Sequence, residues 1–504
     1  MPEFLEYRYD KSTRTIMATY LMVLYVIAFL ASVLYSGARG LNGVFDFSGM
    51  LARNHGMDPD QAVFWSTVIG IWAIGLVAGA YTIYGGLKAV VWSDLLQGAA
   101  LLGGGAICLF FALKLLGGGS LVDGGGVSGG SLADGWRQFA ENARFVDPAT
   151  GAERTKLSVI LPWNDPDVPW LAVFVGGLWI PNLFYWGLNQ FITQRTLGAR
   201  SLAEGQKGIY LACLFKLAIP FLIVMPGIMA AQLFGPAILQ KAGGDVAKAG
   251  ELAYPHLITQ ILPWYLGGVM LAALSGAVMS SFNSGLNSAS TIFTIDLYGG
   301  YVNRHASPAR QVAVGRWATA AIVVVACLWA PIISSFEGVF NYIQEIWGFI
   351  SPGIVAAFLG GLVIRRAPAA AGKTALLLGA ALYAVCRVPK WILESIHEVN
   401  LRAADGKKIL VRFSEGASGA DGPWEPIGGF LQAIYDFNNI AFLHHMFLVF
   451  VVLIAVMAVI TWRRPRTEPI EFPRSSIDTT VPRSTYVFGA GIILVTIALY
   501  VIFR

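Results

Sequence analysis

The 504-residue sequence is poor in charge and nearly empty of the residues that build metal or redox centres. Only 13% of it is Asp, Glu, Lys or Arg, and it holds four cysteines and six histidines. An average soluble domain is about 25% charged. A chain that is 56% hydrophobic cannot cover a water-exposed surface with so little charge, which excludes an ordinary cytosolic enzyme and a disordered scaffold. The net charge of +5 is small for this length, and no basic run marks a nucleic-acid partner. Cys108, Cys213, Cys327 and Cys386 each lie in a hydrophobic stretch without a CxxC spacing, so they read as small buried hydrophobes. No His/Glu metal spacing, nucleophile elbow or Walker sequence occurs, and adjacent His444 and His445 point to different helix faces. An intramembrane enzyme is therefore not expected. Nor is a cleavable signal sequence, since Met1 is followed at once by Pro2, Glu3 and a charged segment.

What the sequence has is hydrophobic length, with a mean hydropathy of +0.62. Crossing a hydrocarbon core takes about 20 apolar residues. Eleven stretches qualify, at 15–38, 64–84, 89–115, 168–192, 207–235, 262–297, 312–334, 339–363, 373–393, 441–462 and 486–503. The sixth is too long for one crossing and is expected to include a short helix before it. The expectation is an all-α, multi-pass protein of a lipid bilayer. Short loops carrying Arg8, Lys11, Arg14, Lys88, Arg195, Arg200, Lys207, Arg304, Arg310, Arg365, Arg366, Lys373 and Arg463 fall on one face if the spans alternate. The positive-inside rule then places the protein in the cytoplasmic membrane with its N-terminus inside and its C-terminus outside. The connections 116–167 and 394–440 lie on the outer face, where they either cap a vestibule or only join spans.

Polar side chains at membrane depth are costly and mark candidate sites. In the span 168–192, Gly176, Gly177 and Pro181 predict a broken helix. Asn182, Trp186, Asn189 and Thr193 follow at helical spacing beside Tyr185. That stripe lines a cavity or packs helices. Lys216 either snorkels to the membrane surface or donates to a ligand. Ala277, Ser280, Ser284, Asn287, Thr291 and Thr294, flanked by Ser281 and Ser288, form one small, oxygen-rich helix face. Hydroxyls and backbone carbonyls suit an alkali cation, and the same pattern also serves close helix packing. Finally, FNYIQEIWGFISPG (340–353) sets Gln344 and Glu345 among Phe340, Tyr342 and Trp347, next to a Ser-Pro-Gly break. That is either a sugar-binding constellation or an interfacial aromatic belt. Together these features favour transport: broken helices with small polar stripes at mid-membrane point to a secondary transporter.

The stretches YTIYGGLKAVVWSDLLQ (81–97), GGLWIPNLFYWGLNQFITQRTLGARSLAEGQKG (176–208) and FNYIQEIWGFISPGI resemble the sodium/solute symporters, in their sodium/sugar (galactose/glucose) branch. The resemblance covers nearly the whole chain outside 394–440. It implies an inverted-repeat (LeuT-like) core and sodium-coupled sugar symport by alternating access. Residues 1–115 would be a partial first repeat (core helices three to five) and 116–167 an extracellular loop. Residues 168–363 would be the second repeat (core helices six to ten), and 364–504 peripheral helices. By position, Asn182, Lys216 and Gln344 would hydrogen-bond the sugar, Tyr185 would stack on it as an inner gate, and Phe340 would belong to an outer gate. Ala277, Ser280 and Ser281 would bind sodium, with Asp94 on the ion's path. In the family, three earlier helices precede a segment like PEFLEYRYDKSTRTI, and two of them contribute to the sodium and sugar sites. The chain as written is therefore expected to be N-terminally truncated, which leaves a non-transporting sensor or remnant as the alternative. Within the family, myo-inositol or a carboxylate is the alternative solute. No arginine is expected in the membrane near the candidate residues, which favours a neutral sugar or polyol.

Overall fold

In a computed structural model of the chain, residues 2–146, 153–163, 165, 168–336, 338–405, 434, 436–438, 440–470 and 481–503 are described. Among these, eleven helices are long and apolar enough to cross a membrane. They are numbered here in chain order: span 1 (Lys11–Phe45), span 2 (Pro59–Tyr84), span 3 (Asp94–Leu116), span 4 (Trp170–Leu188), span 5 (Leu202–Lys241), span 6 (Trp264–Val302), span 7 (Pro308–Ser335), span 8 (Val339–Val363), span 9 (Ala369–Pro389), span 10 (Phe442–Arg463) and span 11 (Arg483–Ile502). Each corresponds to one stretch expected from hydropathy.

Local chemistry sets several of the starts. Asp58 accepts from the Asp60 N–H at 3.0 Å ahead of Pro59, Ser201 accepts from Glu204 N–H at 3.2 Å, and Ser307 accepts from Arg310 N–H at 3.3 Å ahead of Pro308. Each side chain satisfies a backbone donor that the first helical turn leaves unpaired.

Four expectations change. Spans 2 and 3 belong to one continuous helix, Pro59–Leu116. Span 6 contains no separate entrance helix; a distinct helix, Val246–Ile261, precedes it. Span 8 runs unbroken through Pro352, so the Ser-Pro-Gly sequence does not interrupt it. Span 9 continues as helix to Asp405, so the first twelve residues of the stretch read as the loop 394–440 are helical. Glu415, Asp421 and Glu425 of that loop lie outside the described residues.

The chain forms two compact units. The first comprises Met1–Tyr20, Ile160–Asn189 and Gln344–Phe472. Its core joins the N-terminal segment to span 8: Phe4 stacks on Phe358 at 5.0 Å, and Tyr9 Oη donates to the Ala357 carbonyl at 2.8 Å. The second unit comprises Leu21–Val159, Gln190–Ile343 and Pro473–Arg504. Leu34, Ile71, Phe282, Leu286, Ala326 and Cys327 are buried in it. Here Thr82 Oγ1 donates to Asn283 Oδ1 at 2.7 Å, linking span 2 to span 6.

The connection after span 3 carries a helix, Leu132–Asn142, and two short antiparallel hairpins. Gly125 in the first hairpin sits at φ +90°, and a Cβ there would meet the Leu262 carbonyl oxygen at 2.3 Å. Only glycine serves at that position.

Candidate functional site

The sodium candidates all fall in the second unit, where spans 3 and 6 meet. Asp94, at the start of span 3, accepts a hydrogen bond from Ser280 Oγ. It also pairs with Arg195 of the helix Gln190–Leu197. The same guanidinium donates Nη2 to Ser284 Oγ at 2.6 Å. Further along span 6, hydroxyls turn back on their own helix: Ser284 donates to the Ser280 carbonyl at 2.9 Å, Ser288 to Ser284 at 2.9 Å, Thr291 to Asn287 at 2.7 Å and Thr294 to Ser290 at 2.8 Å. Such back-bonding fixes each hydroxyl hydrogen and leaves the oxygen lone pairs to accept. Ala277 and Ser280 are half-buried, and Ser281 is exposed.

The solute candidates divide. Asn182, Tyr185 and Gln344 belong to the first unit; Lys216 and Phe340 belong to the second. Span 4 is broken as its glycines and proline predicted. It consists of helical pieces at Trp170–Phe174 and Trp179–Leu183, a π-helical turn at Phe184–Leu188, and an extended Asn189 at φ −82°, ψ 124°. The extended Asn189 ends the helical spacing, so Thr193 does not continue the face of Asn182 and Trp186. Asn182 is exposed, with Nδ2 donating to the Leu178 carbonyl at 2.9 Å. In the π-helical turn, Tyr185 stacks on Trp347 of span 8 at 5.1 Å and 28°. Gln344, one turn before Trp347, is buried.

In the second unit, Lys216 is exposed on span 5, and Phe340 is exposed at the start of span 8. Tyr342, grouped with Phe340 in either a sugar-binding constellation or an interfacial belt, is buried. Its hydroxyl accepts from Trp329 Nε1 at 2.8 Å and donates to the Ile27 carbonyl at 2.9 Å.

One arginine, Arg387, corrects the expectation of no intramembrane arginine near the candidates; a second, Arg195, lies outside the candidate spans. Arg195 lies against Ser284 and Asp94, as described. Arg387, in span 9, is buried and pairs with Glu345, the residue after Gln344. Arg195 stands in a basic segment that reads as a surface loop. Arg387 ends an apolar run whose pairing with span 8 requires the tertiary fold. Gln97 was also not anticipated: its side chain lies against Gly276, and its buried Oε1 has no hydrogen-bond partner among the described residues.

A family model described as the Sodium:solute symporter family matches residues 1–379. The chain belongs to this family. As a symporter-family protein it is a transporter relative rather than an enzyme. It is 39% identical over 376 residues to a sodium/glucose cotransporter of Vibrio parahaemolyticus, a match that covers 73% of this chain and 62% of that protein. It is 32% identical over 379 residues to human sodium/myo-inositol cotransporter 2, with coverage of 73% and 51%. The chain thus spans less than two thirds of the length of these curated relatives. A solved structure described as the substrate-bound outward-open state of a Na+-coupled sialic acid symporter superposes with a TM-score of 0.59 at 20% identity, covering 93% of this chain and 78% of that one. That likeness establishes the shared inverted-repeat (LeuT-like) fold of a multi-pass helical membrane protein. The three family-like stretches quoted above all fall within the matched residues 1–379.

Proposed function

We propose that this symporter couples inward movement of sodium to uptake of a neutral sugar or polyol across the cytoplasmic membrane, by alternating access. The observation that carries the reading is the oxygen-rich face of span 6 engaging Asp94 through Ser280. Family membership makes sodium the expected ion, and Ala277, Ser280 and Ser281 are its proposed ligands. Hard oxygen donors on one helix suit an alkali cation, and the nearby carboxylate attracts it.

For the solute, Tyr185 stacked on Trp347 offers flat aromatic surface, while Gln344 and Asn182 offer amide hydrogen bonds. In the second unit, Lys216 and Phe340 are proposed separately as a hydrogen-bond donor and a gate residue. The neutral class rests on those amide and aromatic groups; the Arg387 guanidinium, held by Glu345 and the Asn438 carbonyl, is not offered to an acid. The relatives named for glucose and myo-inositol support the same class. Residues 1–115 and 168–363 are assigned to the two repeats, with the N-terminus cytoplasmic.

The energetics are adequate. One sodium ion moving down about 100 mV releases about 2.3 kcal/mol, and a tenfold concentration ratio adds about 1.4 kcal/mol. With one sodium per solute, the sum sustains a solute gradient of several hundredfold, about tenfold per 1.4 kcal/mol. Sodium shifts the conformational equilibrium only by its differential affinity for the outward-open state.

Competition tests the solute class. Unlabelled glucose, galactose or myo-inositol should inhibit sodium-dependent uptake of a labelled sugar, and sialic acid and amino acids should not. Inhibition by acids alone would replace the sugar reading with a carboxylate one.

A further inference from the structure

Span 9 carries a buried arginine that the sodium and solute assignments leave without a role. Arg387 is 6% exposed. It donates Nη2 to Glu345 Oε1 and Nη1 to the Asn438 carbonyl at 2.8 Å. Glu345 directly follows Gln344, and Trp347, on which Tyr185 stacks, is two residues further along. Asn438 is itself buried, and the carbonyl before it, on Phe437, lies 2.9 Å from His445 Nε2 of span 10. One guanidinium therefore joins three stretches of the first unit: the 344–347 turn of span 8, span 9 itself, and the segment leading into span 10.

Spans 8 and 9 also approach closely at this level. A Cβ at Gly348 would meet Tyr383 Cζ at 2.1 Å, and Tyr383 is fully buried one turn before Arg387. Beside the pair, Trp347 Nε1, Ser351 Oγ and Tyr383 Oη have no hydrogen-bond partner among the described residues. Among the described residues, the Arg387–Glu345 pair is thus the polar link holding this turn of span 8 to span 9. A buried ion pair contributes little net stability over an apolar contact, because desolvation offsets the attraction. It does impose direction, and removing one partner strands the other charge.

We propose that Arg387 is a positioning residue for solute recognition: through Glu345 it holds the turn that bears Gln344 and Trp347 in the arrangement that receives the solute. The proposal rests on the assignment of Gln344 and Tyr185 to the solute. Arg387 acts through Glu345 and needs no contact with the solute. Its planar fork serves Glu345 and Asn438 at once, which a single lysine ammonium does less well.

The test compares wild type with R387A, R387K, E345Q and the exchange E345R/R387E in proteoliposomes. Three quantities are read: the solute KM, the sodium half-saturation, and amide hydrogen exchange over residues 340–353. R387A and E345Q should raise the solute KM about tenfold, leave the sodium half-saturation within about twofold, and speed exchange in that peptide. R387K should fall between, and the exchange variant should restore both readouts. An unchanged solute KM with unchanged hydrogen exchange overturns the proposal. So does a parallel loss of solute affinity, sodium affinity and folded protein, which would mark a purely structural pair. Should the wild type move no solute, the symport reading fails by itself. Hydrogen exchange then decides whether the pair holds the turn: faster exchange supports it and unchanged exchange refutes it.

Discussion

Ser280 donates its hydroxyl hydrogen to Asp94, joining the oxygen-rich face of span 6 to the start of span 3. The hydrogen bond matters because both residues are assigned to the sodium ion. A hydroxyl bonded to a carboxylate keeps lone pairs for a cation, and the carboxylate sets a negative potential beside them. Ser280→Ala and Asp94→Asn should each raise the sodium half-saturation about tenfold or more, with a smaller effect on solute affinity at saturating sodium. Sodium titration of uptake checks this. Unaltered sodium dependence in both variants would remove them from the ion's path.

Much of this arrangement was legible beforehand, because membrane folding imposes strong one-dimensional rules. A span must be apolar over its whole length, so all eleven spans stood out by hydropathy. Gly176, Gly177 and Pro181 announced the break in span 4, since two residue types weaken a helix for independent reasons. Contacts between distant segments were less legible. Arg195 sits among basic residues that read as a surface loop, yet its guanidinium reaches Ser284. Arg387 gave no periodic signal, and its partner Glu345 is 42 residues away. Pro352 looked like a break, but a helix packed among neighbours tolerates a proline that would interrupt an isolated one. Helix ends were also misjudged: span 9 continues to Asp405 with polar residues that carry no hydropathy signal.

For the solute, Gln344→Ala and Lys216→Ala should each weaken uptake, chiefly through KM, the former by about tenfold for a lost hydrogen bond at a buried polar group. Gln344 is buried and Lys216 exposed, so the first change should have the larger effect. Saturation curves for labelled sugar check it. Wild-type KM in both variants would dismiss the sugar-site assignment.

Stability of the first unit should depend on Arg8. This fully buried guanidinium donates to the carbonyls of Gly361 at 2.6 Å, Ile364 at 2.6 Å and Ala367 at 3.0 Å, at and beyond the C-terminal end of span 8. These carbonyls include ones that the helix leaves unpaired, and a cation there also complements the helix dipole. Arg8→Ala should cost about 2–4 kcal/mol, read as a lower Tm of the detergent-solubilised protein. A Tm equal to wild type would show that water satisfies those carbonyls instead.

The helix Val246–Ile261 carries a pH-sensitive contact. His256 is buried, and its Nδ1 lies 3.3 Å from Lys241 Nζ. Burial, and then the Lys241 charge, hold the imidazole below its ordinary value of 6.5. The unfolded chain therefore binds more protons than the folded one as pH falls below 6.5. The contribution of His256 is complete above that value and is lost progressively toward the lower folded value. Thermal melts from neutral pH downward should show wild type losing Tm more steeply below pH 6.5 than His256→Gln. Parallel curves would mean that the ring is hydrated and uncoupled from Lys241.

The most direct measurement is uptake of labelled glucose or galactose by proteoliposomes with sodium outside, sodium balanced, or potassium replacing it. Coupled symport predicts accumulation above equilibrium only under an inward sodium gradient. It also predicts faster uptake when the interior is made negative, as expected for net movement of one positive charge per cycle. Uptake that proceeds equally in potassium, or that never exceeds equilibrium under any sodium gradient, would contradict the account.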